Sequence, residues 1–195
     1  MPFRKTIFAV AGLVIAAALF SALAPDRKTS ADLSASVERG RYLVSSVGCA
    51  DCHASKIMGR EGPEPDMTRF LAGAPEDAKL PPPPQLPAGP WIAVASADFT
   101  SWSGPWGISY AANLTPDQNT GIGSWSEDTF VKALKTGRHM GVSRPILPPM
   151  PWPAFRNLTD DDLKAVYAYL RTIPPVHNRV PEPVPPAAAT TDAPR

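Results

Sequence analysis

The five residues Cys49-Ala50-Asp51-Cys52-His53 constrain this chain more than any other stretch. On a helix, residues three and four apart share a face, so both thiols and the imidazole point the same way. These are also the only two cysteines in the sequence. A structural zinc site needs four ligands, usually Cys or His, and the other histidines, His139 and His177, are remote in sequence. A thioredoxin-like pair would need a strand–helix context, and nothing nearby alternates like a strand. A disulfide across two intervening residues would close a tiny, strained loop. Two thiols at this spacing can instead add to the two vinyl groups of a haem, with the next histidine beneath the iron. The motif therefore reads as covalent attachment of a single haem c through Cys49 and Cys52, with His53 as the proximal iron ligand.

Length leaves room for one domain once the two ends are set aside. Proline supplies 25 of 195 residues, which predicts long loops and few, short helices. A formal net charge of +1, with no basic stripe interleaved with aromatics, argues against a nucleic-acid partner.

Arg4 and Lys5 precede an uncharged apolar run from Thr6 to Ala24. Ala22-Leu23-Ala24 resembles an export cleavage site, but Pro25 would follow the scissile bond, where its ring suits a peptidase poorly. The run also approaches the roughly 20 residues that span a bilayer. Residues 1–24 thus read as an N-terminal hydrophobic helix, a membrane anchor or else an export signal; either exports the domain. Residues 25–35 follow as a polar linker. The folded domain is expected over 36–175, with a Pro-rich insertion at about 75–105 that includes Pro81 to Pro84. Residues 176–195 are Pro- and Ala-rich, too poor in apolar periodicity to fold, and read as a disordered tail.

Within the domain, Val37, Gly40, Tyr42, Leu43, Val44 and Val47 fall roughly at helical spacing and lead into the cysteine motif. Gly40 costs about 1 kcal/mol against Ala in a helix interior; a closely crossing second helix would explain it, as would a tolerated surface position. A ligating histidine normally donates its other ring N–H to a carbonyl, and Pro63 is a candidate acceptor, although it reads equally well as an ordinary loop proline. Met67 to Leu71 reads as a brief turn. Trp91, Phe99, Trp102 and Trp106 either wall the haem or, the safer reading, pack the insertion down. Ser126 caps a second helix, with Glu127 and Asp128 in its first turn and Gly137 at its end. Lys132, Lys135, Arg138 and Arg144 are the only basic concentration. Thr159 or Asp160 caps a third helix, with Leu163, Val166, Tyr167 and Leu170 on one face, which stops before Pro174.

Between these helices runs Arg144-Pro145-Ile146-Leu147-Pro148-Pro149-Met150-Pro151-Trp152-Pro153. Prolines on both sides hold Met150 in an extended loop, from which a thioether can reach the open side of the iron. Met58 and Met67 follow His53 too soon and are expected to pack the loop. Met140 and His139, and more remotely His177, remain alternatives to Met150 as the distal ligand.

In this order of elements, the chain resembles a class I cytochrome c over about residues 36–175. Asn113-Leu114-Thr115-Pro116, Thr120-Gly121-Ile122-Gly123 and Pro149-Met150-Pro151-Trp152 resemble more particularly bacterial dehydrogenase-linked cytochromes. Those include the haem modules in cytochrome subunits of membrane-bound alcohol and sugar-acid dehydrogenases. The chain departs from them in carrying one haem motif where they carry several, and its Pro-rich insertion has no place in a minimal cytochrome c. The resemblance implies an all-α domain whose first and last helices cross beside the haem. It also implies His53 and a methionine as axial ligands to the iron, and a role without a substrate of its own. The expected function is that of a one-electron carrier or electron-transfer subunit, not an enzyme. It would link a periplasmic or membrane dehydrogenase donor to an oxidase or quinone-linked acceptor of the respiratory chain. The expected location is the periplasmic side of the bacterial inner membrane, anchored, or the soluble periplasm. The alternative is a haem enzyme or gas-sensing module with a displaceable distal ligand.

Overall fold

The computed structural model describes residues 29–87 and 89–186. The apolar run at 1–24, residues 25–28 of the expected linker and the tail beyond 186 lie outside them. The chain divides into two units, Met1–Ser34 and Ala35–Arg195.

Helix α1 (Ser30–Ser46) begins before the expected Val37, so residues 30–35 are helix rather than linker. A reciprocal cap explains the early start. The Thr29 N–H donates to Asp32 Oδ2 at 3.0 Å, and the Asp32 N–H donates to Thr29 Oγ1 at 3.2 Å. The buried residues Gly40, Leu43 and Val44 recur at helical spacing. They face the last helix, at Asp160–Leu170. Helix α2 (Cys49–His53) follows after Gly48, whose φ of 74° breaks the run.

Helix α3 (Glu127–Thr136) starts where Ser126 accepts the Thr129 N–H and ends at Gly137, as expected. A one-turn helix, α4 (Trp152–Phe155), comes next. Helix α5 (Asp160–Leu170) is capped by Thr159, which accepts the Asp162 N–H. The first and last helices cross at Gly40. A Cβ there would overlap the Ala165 carbonyl and press on Tyr169 Cβ, so only glycine permits this approach. Leu43, Val44, Leu71, Phe130, Val166 and Leu170 form the centre of the core between them.

The domain is not all-α. Strands β1 (Lys56–Met58) and β2 (Pro63–Pro65) form a hairpin, and β3 (Val94–Ala95), β4 (Ser101–Gly104) and β5 (Gly107–Tyr110) form an antiparallel sheet. The insertion is therefore partly built structure. The serines hid it: Ser101 and Ser109 are buried, so the usual apolar alternation is inverted. Trp106 is partly buried and donates to Ser109, whereas Trp91 is 77% exposed and packs nothing down.

Residues 176–186, expected to be disordered, are held against the domain. Val184 exchanges both backbone hydrogen bonds with Ile108, at 2.8 and 2.9 Å. Asn178 is fully buried. Its Nδ2 donates to the Ala72 and Ala74 carbonyls at 2.7 and 2.9 Å, and its Oδ1 accepts from Arg69 and from the Glu76 N–H at 2.8 and 2.9 Å. Saturated hydrogen bonding, which hydropathy does not register, holds this segment down.

Candidate haem site

Helix α2 is a single turn carrying Cys49, Cys52 and His53, all three partly buried, with both thiols free. Its last carbonyls are taken up by Lys56, whose Nζ donates to Ala50 O at 2.5 Å and to Ala54 O at 3.0 Å. Burial pushes the Cys49 thiol up to about 11, and raises Cys52 as well, aided by the charge of Asp51. Redox-active and metal-binding cysteines need the opposite, a depressed pKa that yields thiolate. Among the described residues no group of three or more His, Cys, Asp or Glu could hold a metal ion, which leaves two free thiols on one helical turn.

His53 is positioned from two directions. Its Nδ1 lies 2.7 Å from the Ala112 carbonyl. A carbonyl can only accept, so Nδ1 carries the proton and Nε2 is left with its lone pair available to a metal. Burial lowers the His53 pKa, opposed only in part by the Ala112 carbonyl, which keeps the ring in the neutral form that ligates. The acceptor is Ala112 and not Pro63, which lies in β2 opposite Met58.

The Ala112 carbonyl is itself held by backbone. Gly73 N–H donates to His53 O at 2.8 Å, Ala74 N–H to Ala111 O at 2.9 Å and Leu114 N–H to Leu71 O at 2.9 Å. Gly73 has φ 79°, and a Cβ there would collide with the Ala111 and Ala112 backbone. Asn178 bonds the carbonyls on either side of Gly73.

Met150 lies half-buried in the loop between α3 and α4. Its N–H donates to Leu147 O at 3.3 Å, and the Pro148 carbonyl accepts from Ser109 Oγ at 2.5 Å. The indole of Trp152 packs against Gly137 at the end of α3. Among the alternatives, Met140 is exposed in a turn with φ 53°. His139 sits edge-on to Trp125 at 5.2 Å, and His177 is exposed beside Asp117 at 3.6 Å. Met58 and Met67, expected to pack the loop, are instead exposed. The structure thus gathers Cys49, Cys52 and His53 on one turn and holds Met150 on a separate, braced loop. The backbone acceptor at Ala112 and the side chains of Asn178 and Ser109 were missed from sequence. A carbonyl leaves no trace in residue type; Asn178 falls in the stretch read as tail, and Ser109 lies just past the insertion expected at about 75–105.

The donor set fits a covalently bound haem: two neutral thiols and a histidine with Nε2 available share one helical turn beside an apolar core. Comparison with known proteins agrees. The chain is 33% identical over 137 residues to the fructose dehydrogenase cytochrome subunit of Gluconobacter japonicus, covering 70% of this chain and 21% of that one. It is 32% identical over 160 residues to the gluconate 2-dehydrogenase cytochrome c subunit of Pantoea cypripedii, covering 82% and 27%. It is 40% identical over 82 residues to the cytochrome c subunit of the quinone alcohol dehydrogenase of Gluconobacter oxydans (strain 621H), covering 40% and 17%. The chain therefore spans about a quarter or less of the length of these relatives. A family model for cytochrome c matches residues 37–174, which hold the cysteine motif, the core helices and the Met150 loop, and the chain belongs to the cytochrome c family.

Proposed function

We propose that this chain carries one haem c, bound through Cys49 and Cys52 and ligated by His53 Nε2 and Met150 Sδ, and that it relays single electrons. When bound, haem c supplies a one-electron iron couple, which a His/Met pair keeps at high potential. The chain's part is to hold both ligands in place and to exclude water. The Ala112 carbonyl fixes the His53 tautomer and raises the basicity of Nε2. With His53 and Met150 both holding the iron, the protein would exchange electrons without binding a substrate. The His53–Ala112 bond is the observation that carries this reading, because it prepares one ring nitrogen, and one only, for a metal.

The named relatives are cytochrome subunits of dehydrogenases. By that likeness the donor is a periplasmic or membrane dehydrogenase and the acceptor an oxidase or quinone-linked step of the respiratory chain. The location by the same reading is the periplasmic side of the inner membrane, anchored, or the soluble periplasm. Among the described residues no helix is long and apolar enough to cross a membrane; anchoring would fall to residues 1–24. Lys132 and Arg138 are exposed and could steer a partner, although Arg138 donates to Ser143 O at 3.0 Å; Lys135 is engaged with Leu158 O at 2.7 Å and with Asp160 at 3.0 Å.

The test is spectroscopic. Met150→Ala should abolish the far-red methionine–iron band of the ferric protein, open the iron to carbon monoxide and lower the potential. Met140→Ala should leave all three unchanged. If the two variants exchange behaviour, the distal assignment moves to Met140.

A further inference from the structure

We propose that Ser109, on the middle of the inserted sheet's last strand, is a positioning residue for the Met150 loop. Indole N–H groups only donate, so the contact between Trp106 Nε1 and Ser109 Oγ, at 3.1 Å, makes the hydroxyl an acceptor there. The single hydroxyl proton is then directed to the Pro148 carbonyl, 2.5 Å away and two residues before Met150. Ser109 is only 7% exposed, so water competes poorly for this bond.

The strand beneath it is stiff. Ser109 pairs with Trp102 across the sheet, and the neighbouring Ile108 is bonded on its other side to Val184 of the returning tail. The Pro-rich insertion thereby acquires a task. It is a platform that holds the distal loop against opening, and the tail closes the platform's edge. Backbone bonding anchors the loop before Pro148, where the Ile146 N–H donates to Gly137 O at 2.8 Å, but only weakly at Met150, whose N–H reaches Leu147 O at 3.3 Å.

The inference rests on the reading of Met150 as distal ligand, and the experiment separates the two. Imidazole binding to the ferric, haem-loaded protein reports how readily the distal ligand leaves the iron. One lost internal hydrogen bond should raise the open fraction, and hence imidazole affinity, about fivefold in Ser109→Ala. The far-red band should weaken in parallel, and Ser109→Thr, which keeps the hydroxyl, should restore both. Trp106→Phe should shift affinity the same way by less, and it serves if Ser109→Ala folds poorly. Ser96→Ala is the control for general loosening, because Ser96 Oγ bonds Asp98 and the Ser101 N–H within the same insertion without reaching the Met150 loop. Equal imidazole affinity in Ser109→Ala and Ser96→Ala overturns the brace. If Met150→Ala removes the far-red band while Ser109→Ala moves neither readout, the brace fails and the ligand assignment stands. If Met150→Ala leaves the band intact, both fall together.

Discussion

The two sides of the site are held by different means. On the His53 side, one side-chain bond to Ala112 rests on a lattice of backbone bonds among residues 53, 71–74 and 111–114, locked from behind by a fully buried asparagine. On the Met150 side, prolines limit the chain, the Ile146 N–H donates to Gly137 O at 2.8 Å, one side-chain hydroxyl reaches Pro148, and Met150 remains half-buried. The first side is redundant and the second is sparse. If His53 and Met150 are the ligand pair proposed above, they should fail in a fixed order under stress: the sparse contact opens while the redundant one persists. Local openings draw on the regions with few buried contacts.

The largest expected effect removes the comparison altogether. Cys49→Ala with Cys52→Ala should leave no haem colour on the chain after denaturing electrophoresis, whereas wild-type colour should migrate with the protein. Colour that extracts into acid–acetone from the wild type would overturn covalent attachment.

Next in size is Asn178→Ala, which attacks the redundancy of the His53 side. It would strip partners from the Ala72 and Ala74 carbonyls, the Glu76 N–H and Arg69 in a site closed to water. Unsatisfied buried groups cost about 1–3 kcal/mol each, so a loss on the order of 3 kcal/mol should appear in guanidinium denaturation of the holoprotein. Gly73→Ala should cost a similar amount, through the strain of a positive φ and overlap with Ala111 and Ala112. A cost below about 1 kcal/mol for both would mean that the His53 side is no better secured than the other.

How much of this could be read in advance follows the kind of bond involved. The attachment motif, the Ser126 and Thr159 caps and the Gly137 stop are local, so residue type at fixed spacing announces them. The crossing at Gly40 was legible as one of two options, because a glycine in a helix asks for a reason but does not say which. The Ala112 acceptor was not legible, since any residue carries a carbonyl there. Asn178 lies among prolines that suggest an unstructured tail. The inserted sheet was missed because its inward-facing residues are serines that hydrogen-bond rather than apolar residues that pack.

A smaller effect tests the order of failure directly. In graded denaturant, the far-red band of the ferric protein should disappear before the core unfolds, as followed by far-ultraviolet circular dichroism. Simultaneous loss would show that the Met150 loop and the core open as one unit.

The smallest effect lies on the surface behind the His53 side. Arg39 Nε and Asp162 Oδ1, 2.9 Å apart, join α1 to α5 one residue from the Gly40 crossing. The hydrogen bond from Arg39, more than its charge alone, holds the Asp162 carboxyl below the usual carboxylate range. A depressed native pKa stabilises the fold above the unfolded value of about 3.9, and that contribution drains away as pH falls through the native pKa. Asp162→Asn should therefore lower Tm slightly at neutral pH, and the gap from wild type should close on acidification. Exposed pairs contribute little, and, helix backbone aside, Arg39 and Asp162 hydrogen-bond only each other and Thr159 among the described residues, so the far-red band should not change. A Tm gap that widens as pH falls would reverse the sign and remove the ion pair from the account. A changed band would show that the two sides of the site are coupled through the helix crossing.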